Sequence, residues 1–253
     1  MTQNSTLRFS NRVEDYVKYR PHYPAAIIAL LEQEALLKPG LPVADIGSGT
    51  GISAELFLQK GYTVWGIEPN QEMRQKSEEL LQSYPGFKTI DGTAESTTLA
   101  DQSVGLIIAG QAFHWFNREQ CRPEFERILQ PGGGLALIWN ERLTVTPFEK
   151  DYEELIVRHG HQYQKVDHRN IDTAAIEAFF APGLVTLTAF DNQQVFTYEG
   201  LEGRLLSSSY MPAKDGAGYK EMVADLKTLF DQYQTGNQVI IHYATKVYWG
   251  RLG

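Results

Sequence analysis

Three glycines at alternate positions follow a short apolar run and could form a ligand-binding turn. Gly47, Gly49 and Gly51 come directly after Leu41–Ile46, a run that contains Asp45. Glycine lets the chain turn sharply and lets a ligand approach the backbone with no Cβ in the way. The Asp45 carboxylate would repel a phosphate but would suit a cation. We therefore expect a binding turn for a positively charged ligand; the alternative is an ordinary glycine-rich turn.

The spacing of the glycines differs from two phosphate-binding motifs. A dinucleotide fingerprint requires G-x-G-x-x-G/A, but Ile52 stands three residues after Gly49. A P-loop requires Gly-Lys-Ser/Thr, and no lysine follows Gly51. A nicotinamide-dependent oxidoreductase on a similar sheet is therefore the less favoured reading of this turn.

A second acid, Glu68, stands at the end of the next predicted strand, directly after Thr63–Ile67. An acid at that position can accept hydrogen bonds from both hydroxyls of a ribose. The alternative is a surface acid at the N-terminus of the following helix, where negative charge is favourable. Because strand end, spacing and glycine turn agree, we predict nucleoside binding.

The elements that would position these residues alternate between strands and helices. This order predicts an α/β fold with an open, mostly parallel, doubly wound sheet and helices on both faces. A break is expected at Pro131–Gly134 and a turn near Asp191-Asn192. The predicted helices are Pro24–Leu37, Ser53–Gln59, Gln71–Ser83, Arg118–Leu129, Phe148–Gly160, Thr173–Phe180 and Tyr219–Tyr233, and the predicted strands are Leu41–Ile46, Thr63–Ile67, Phe87–Ile90, Val104–Ala109, Leu135–Trp139, Val185–Tyr198 and Val239–Trp249.

Composition excludes several classes of protein. The 253 residues carry 23 Lys and Arg against 31 Asp and Glu, a net charge of −8, which argues against a duplex nucleic-acid binder. Cys121 is the only cysteine, so neither an intrachain disulfide nor a thiolate metal cluster is possible. No apolar run approaches the roughly 20 residues of a membrane helix, and Met1–Ser10 lacks the apolar run of a signal peptide. We expect a cytoplasmic protein without metal or membrane partner.

Asp45–Gly51 together with Glu68 resembles the class I S-adenosylmethionine-dependent methyltransferases. More narrowly, the chain resembles the small-molecule group that includes ubiquinone-biosynthesis and trans-aconitate methyltransferases. The resemblance covers about residues 9–140 and implies a Rossmann-like, seven-stranded sheet with an antiparallel final hairpin. Its further matches are Tyr16–Pro24, Asp91–Glu95, Gln111–Phe116 and Leu129–Gly133.

The resemblance also implies roles toward the cofactor S-adenosyl-L-methionine. Asp45 would face the methionine amino group, and Glu68 would hold the ribose hydroxyls. The remaining implied contacts are Gly47, Gly49 and Gly51 near the methionine and ribose, Pro69 and Asn70 beside the adenine, Ala94 and Glu95 at the adenine edge, Gln111 and Ala112 on the methionine side, and Ser48, Met73 and Thr93 as further contacts.

Methyl transfer from a sulfonium is an in-line displacement, in which the cofactor carries the reactive group and the protein supplies position and electrostatics. Holding the nucleophile, methyl and sulfur in line can contribute ~7–11 kcal/mol. Aromatic faces attract a sulfonium through cation–π interactions. The candidates are Tyr16, Tyr19, Phe113 and Trp115, of which Tyr16 and Trp115 are expected cofactor contacts.

Several residues could act on the methyl acceptor. His114 follows the fourth strand and is a candidate general base; the alternative is a histidine that only shapes the pocket wall. Arg20 is the best candidate to meet an acidic substrate, ahead of Arg204, His242 and Arg251. The run from Ser207 to Tyr210 could line the substrate pocket or form a helix end.

These observations predict one methyltransferase domain over residues 1–253. Residues 1–140 would form the cofactor-binding half, and residues 141–253 the substrate-side cap elements and last strands. Residues 1–23 are a candidate lid, with a plain N-terminal helix as the alternative. The expected activity is methyl transfer to a small molecule, with oxygen as the acceptor atom ahead of carbon or nitrogen. The alternative from another class is a non-catalytic module that binds S-adenosylmethionine or S-adenosylhomocysteine.

Overall fold

The described part of the chain contains one seven-stranded sheet with helices on both faces. The computed structural model describes residues 18–161, 173–208, 210–214 and 216–253. The strands are β1 Val43–Ile46, β2 Val64–Ile67, β3 Phe87–Ile90, β4 Val104–Gly110, β5 Leu129–Arg142, β6 Val185–Phe196 and β7 Val239–Gly250. The helices are α1 Ala26–Gln33, α2 Ile52–Leu58, α3 Gln71–Leu81, α4 Arg118–Ile128, α5 Pro147–His159, α6 Thr173–Phe180, α7 Tyr198–Leu206 and α8 Tyr219–Tyr233.

The strand order is β3-β2-β1-β4-β5-β7-β6. The first five strands are parallel to one another, whereas β7 runs antiparallel to both β5 and β6. The predicted fold class, with its antiparallel final hairpin, is therefore confirmed. The order reverses between β1 and β4, and ligands of doubly wound sheets bind at such a switch point, outside the carboxyl ends of the strands.

The central strands of the sheet are apolar and buried. Every residue of β1 is buried, as is β4 from Val104 to Ala109, because helices cover both faces of a parallel sheet. The helices α4 and α6 pack on one face, and α1 and α2 on the other. Polar side chains fix several helix starts: Asn70 Oδ1 accepts a hydrogen bond from the Met73 amide at 3.0 Å at the start of α3.

A third apolar cluster joins α5, α7 and α8 to the last two strands. Leu155 from α5, Leu201 from α7 and Leu226 from α8 are buried together with Ile241 and Tyr243 of β7. These helices lie in the region where the sequence predicts cap elements. Within the described ranges, none of the helices has the length and apolar character needed to cross a bilayer.

Two predictions about connections between elements are wrong. The turn expected near Asp191-Asn192 does not exist, because β6 continues through both residues and pairs with Ala244 and Tyr243 of β7. The glycine run at Pro131–Gly134 does not separate α4 from a later strand, since it lies inside β5. Helix α7 was not predicted at all.

Tyr19 packs directly on α7 at Gly203, where an added Cβ would overlap the Tyr19 ring. We expect Gly203→Ala to lower the free energy of unfolding by about 1–3 kcal/mol, because the ring must move out of a packed position. Urea denaturation measures this change.

Gly200→Ala in the same helix is the matched control. An added Cβ there would lie 3.1 Å from Phe196 Cδ1, a side-chain atom that can shift. Both variants share the gain in helix propensity from replacing glycine, so their difference isolates the Tyr19 contact. Equal stability of the two variants would contradict the packing described.

Candidate functional site

A cavity lies at the carboxyl ends of β1, β4 and β5, beside the switch point of the sheet. The glycine turn after β1 forms one wall, and the residues that end β4 and β5 form another. The segment before α1 and helix α7 complete it. Its lining includes Arg20, Gly47, Gly49, Gln111, Asn140 and Arg204.

The glycines of the turn are required for different physical reasons. Gly47, Gly49 and Gly51 have φ of +69°, +55° and +87°, a region that L side chains rarely adopt. A Cβ on Gly49 would meet nothing within 4 Å, so the backbone there is open to an approaching molecule. A Cβ on Gly51 would lie 2.5 Å from Leu81 Cδ1, so Gly51 serves helix packing instead.

Asp45 is a fully buried carboxylate with an unsatisfied oxygen. Its Oδ2 accepts a hydrogen bond from Ser53 Oγ at 2.6 Å, whereas its buried Oδ1 has no hydrogen-bond partner within the part of the chain that the structure describes. Burial raises the pKa of Asp45 to about 7, the Ser53 hydrogen bond opposes that rise, and the charge of Glu68 adds to it. A ligand ammonium group would supply the missing hydrogen-bond donor and the missing positive charge.

Glu68 connects the end of β2 to the glycine turn. Its Oε2 accepts a hydrogen bond from the Gly49 amide at 3.0 Å, and its Oε1 accepts one from the Asn70 amide at 2.9 Å. Burial raises the pKa of Glu68 against these two hydrogen bonds. The side chain is therefore a fixed, buried acceptor rather than a surface acid, and α3 is capped by Asn70 instead. The spare lone pairs of its carboxylate suit ribose hydroxyls.

The other expected adenine contacts lie on neighbouring chain segments. Pro69 is half-buried, and Met73 is buried in the first turn of α3. After β3, the backbones of Thr93 and Ser96 pair, and Ala94 is fully buried. Glu95 Oε1 accepts a hydrogen bond from the Asn117 amide at 2.9 Å, so this acid holds the start of α4.

Gln111 and Ala112 follow the end of β4. Gln111 has φ +56°, and its amide donates to the Ile138 carbonyl at 2.9 Å. Its side-chain Nε2 donates to the Asn140 carbonyl at 3.1 Å, and Ala112 is buried behind it. Two hydrogen bonds to β5 therefore hold Gln111 at the cavity in an uncommon backbone conformation.

The aromatic candidates have different surroundings. Phe113 is in the core, in edge contact with Trp139 and Phe179, and does not line the cavity. Tyr19 is buried against α7, Trp115 is half-buried, and Tyr16 lies outside the described residues. Of the three that the structure describes, Trp115 is the one with intermediate exposure, and a ligand could contact it.

His114 is next to Trp115, with ring centroids 4.8 Å apart. Surrounding protein atoms keep water from much of the imidazole, although the residue retains exposed surface, and this desolvation lowers the pKa of His114 to about 4. The ring is therefore neutral near pH 7 and is a weak base. This observation argues against the general base, and His114 does not line the cavity in the described structure.

Asparagine side chains hold the segment before α1 over the cavity. Asn140 Nδ2 donates to the Pro21 carbonyl at 3.1 Å, and Asn192 Nδ2 donates to the His22 carbonyl at 2.8 Å. Thr245 Oγ1 donates to Asn140 Oδ1 at 2.5 Å and completes the group. Sequence reasoning missed these residues, although Asn140 directly follows the predicted strand Leu135–Trp139, where functional residues of parallel sheets collect.

The candidate cations separate into two groups. Arg20 Nη2 donates to the Ser207 carbonyl at 3.1 Å, and both Arg20 and Arg204 line the cavity. His242 Nδ1 lies 2.8 Å from Glu149 Oε1, and Arg251 donates to backbone carbonyls that include Gly132. The last two do not line the cavity.

Ser207 is the C-cap of α7, as the helix-end alternative predicts; Ser209 lies outside the described residues.

Comparison with known proteins gives the same family as the motifs. Residues 44–137 match the family model described as a methyltransferase domain. An uncharacterised methyltransferase of Mycobacterium tuberculosis H37Rv is 33% identical over 158 residues, which span 62% of each chain. An uncharacterised methyltransferase-like protein of Schizosaccharomyces pombe is 25% identical over 246 residues, covering 95% of this chain and 93% of its own. The match thus spans less than two thirds of the mycobacterial relative.

Solved structures support the fold. A protein of Anaeromyxobacter dehalogenans, provisionally named a type II methyltransferase, has a TM-score of 0.68 at 19% identity and covers 92% of this chain and 98% of its own. A geranyl diphosphate methyltransferase in complex with SAM has a TM-score of 0.50 at 12% identity, and the match covers 90% of this chain and 85% of that one. With the sequence matches, they confirm the predicted resemblance: residues 44–137 match a methyltransferase domain, on the fold expected for class I methyltransferases.

The raised pKa of Asp45 generates a stability prediction. In the unfolded chain this carboxyl ionises near its ordinary pKa of 3.8, whereas in the fold it ionises only near 7. The ligand-free protein therefore loses stability as the pH rises from about 4 to about 7. Asp45→Asn cannot ionise, so its free energy of unfolding should rise relative to wild type over this range, by on the order of a few kcal/mol.

Urea denaturation at several pH values between about 5 and 8 measures that difference. Asp231→Asn is the control, because Asp231 is an exposed acid paired with Lys227 on α8. The difference between Asp231→Asn and wild type should stay nearly flat. An equally flat difference for Asp45→Asn would show that the buried carboxyl does not titrate in this range.

Proposed function

We propose that this protein is an S-adenosylmethionine-dependent methyltransferase that moves a methyl group to an oxygen atom of a small molecule. One observation carries the proposal: Asp45 is a fully buried carboxylate with an unpaired oxygen, next to an open glycine turn at the switch point of the sheet. Such a carboxyl is costly to ionise without a cationic partner. The methyltransferase domain of residues 44–137 supports the same conclusion.

The residues present fit this cofactor. Asp45 would hold the methionine ammonium, and Glu68 the ribose hydroxyls, while Gly49 leaves its backbone free for close approach. Hydrogen bonds from two backbone amides already orient Glu68, so this side chain needs little further ordering when the cofactor binds. The other proposed contacts are Tyr16, Gly47, Ser48, Gly51, Pro69, Asn70, Met73, Thr93, Ala94, Glu95, Gln111, Ala112 and Trp115.

S-adenosylmethionine, when bound, supplies an electrophilic methyl group on a sulfonium, whose C–S electron pair stays on sulfur after transfer. The chain's own residues bind, orient and exclude water. Residues 18–23, held by Asn140 and Asn192, cover the cavity beside the glycine turn. Arg20 would contact the acceptor from this segment, and neutral His114 would not remove a proton.

We also propose that residues 1–253 act as one methyltransferase domain in the cytoplasm, with residues 1–23 as the lid. Its partner would be a small-molecule acceptor rather than nucleic acid or membrane, in keeping with the net charge of −8. A non-catalytic binding module would keep the glycines and Glu68 but have no substrate cavity. The cavity between the glycine turn and α7 favours the enzyme.

Titration calorimetry with S-adenosylhomocysteine tests the cofactor assignment. We expect the wild type to bind it in preference to NAD, and Glu68→Gln to bind it at least about tenfold more weakly, because a charged acceptor for two hydroxyls is lost. Glu72→Gln, an exposed acid in the first turn of α3, is the control and should bind like wild type. Preference for NAD, or unchanged affinity in Glu68→Gln, would contradict the assignment.

Transfer of a labelled methyl group from S-adenosylmethionine into a metabolite extract tests catalysis. An enzyme should label a metabolite that mass spectrometry identifies, with the new methyl group on oxygen. A binding module should bind S-adenosylhomocysteine but label nothing.

A further inference from the structure

Arg204 is a buried cation that has no charged partner among the described residues. It lies in the last turn of α7 with 6% of its surface exposed, and it lines the cavity. Its Nε donates to Tyr243 Oη at 3.4 Å, and its Nη1 donates to Ser207 Oγ at 3.4 Å and Ser208 Oγ at 3.3 Å. Each of these acceptors is uncharged, and each distance is at the long end of the hydrogen-bond range.

A second buried arginine, Arg142, provides a comparison within the same protein. Arg142 is about as buried as Arg204, and it forms an ion pair with Glu153 and lies over the Tyr152 ring. Among the described residues, no carboxylate forms such a pair with Arg204. Burial also raises the pKa of Tyr152 to about 12, so this nearby hydroxyl stays neutral and gives Arg204 no counter-charge.

A buried charge without a counter-ion costs free energy unless a ligand supplies one. The guanidinium is planar and matches a carboxylate through two parallel hydrogen bonds. Ser207, Ser208 and Tyr243 add neutral hydroxyls around it. In a chain of net charge −8, one buried arginine and these hydroxyls suit a small monovalent anion better than a multiply charged phosphate.

We propose that Arg204 is a specificity-determining residue that binds a carboxylate group of the methyl acceptor. This inference rests on the proposed methyltransferase function. The cofactor also contains a carboxylate, but its ammonium partner, Asp45, lies under the glycine turn. Arg204 is held by groups from the end of α7 and from β7, on a different wall of the cavity. Asp45 would therefore serve the cofactor beneath the turn, and Arg204, which lines the cavity, would serve the acceptor.

Methyl transfer from labelled S-adenosylmethionine into a metabolite extract, with products identified by mass spectrometry, tests the proposal on the full chain. We expect the labelled product to contain a carboxyl group or its methyl ester. We expect Arg204→Gln to lower transfer to that acceptor, at limiting concentration, by at least about tenfold. Arg204→Lys should recover part of the loss, chiefly through KM.

Arg158→Gln is the matched control, because it removes the same charge from an exposed arginine of α5 that pairs with Asp225. It should behave like wild type. The ratio of activity on the acid to activity on its uncharged amide should fall in Arg204→Gln only. A merely structural role would lower stability and leave this ratio unchanged.

Two binding measurements separate the possible sources of the carboxylate. Arg204→Gln should bind S-adenosylhomocysteine and 5′-methylthioadenosine, which lacks the amino-acid carboxylate, with wild-type affinity. Weaker binding of S-adenosylhomocysteine alone would assign Arg204 to the cofactor and overturn the proposal. A product without an acid or ester, or an unchanged rate in Arg204→Gln, would also overturn it. Failure of the wild type to bind S-adenosylhomocysteine, or binding without any labelled product, would instead refute the proposed function.

Discussion

The site depends on the burial of one carboxylate. Asp45 stands in the fully buried strand β1, and among the described residues its Oδ1 has no hydrogen-bond partner, whereas its Oδ2 accepts from Ser53 of α2. The glycine turn that follows has positive φ at three positions, so the chain turns sharply directly after this buried carboxyl. A carboxylate in this state is costly without a cation, and the rise of its pKa to about 7 expresses that cost.

The opposite side of the cavity depends on contacts between distant parts of the chain. Asn140 of β5 and Asn192 of β6 bind the carbonyls of Pro21 and His22 and so hold the segment before α1. Tyr19 in that segment packs on α7, the helix that carries Arg204 into the cavity. The final antiparallel hairpin thus does more than complete the sheet, because it anchors the cover of the cavity and the helix that forms one of its walls.

The glycine-turn side of the cavity could be predicted from local patterns, whereas the α7 side could not, although the predicted helices Thr173–Phe180 and Tyr219–Tyr233 have the observed bounds. The predicted strand Phe87–Ile90 has the observed bounds, and Asp45 and Glu68 stand at strand ends as expected. Helix α7 was missed because Gly200 and Gly203 weaken its helical pattern, although Tyr19 requires a glycine at position 203. Asp191 and Asn192 resemble a turn in sequence, yet Asn192 binds a carbonyl far away in the chain. Such contacts depend on tertiary structure, which no local pattern encodes.

Proton release on ligand binding is the most direct test of the proposed pairing between Asp45 and an ammonium group. If an ammonium group pairs with Asp45, binding of S-adenosylhomocysteine must lower the pKa of this carboxyl from about 7. Calorimetric titrations at pH 7 in phosphate and in Tris, whose ionisation heats differ, should then reveal release of up to about half a proton per ligand by the wild type. Asp45→Asn should release none. Binding without proton release by the wild type, or equal release by Asp45→Asn, would contradict the pairing on which the site depends.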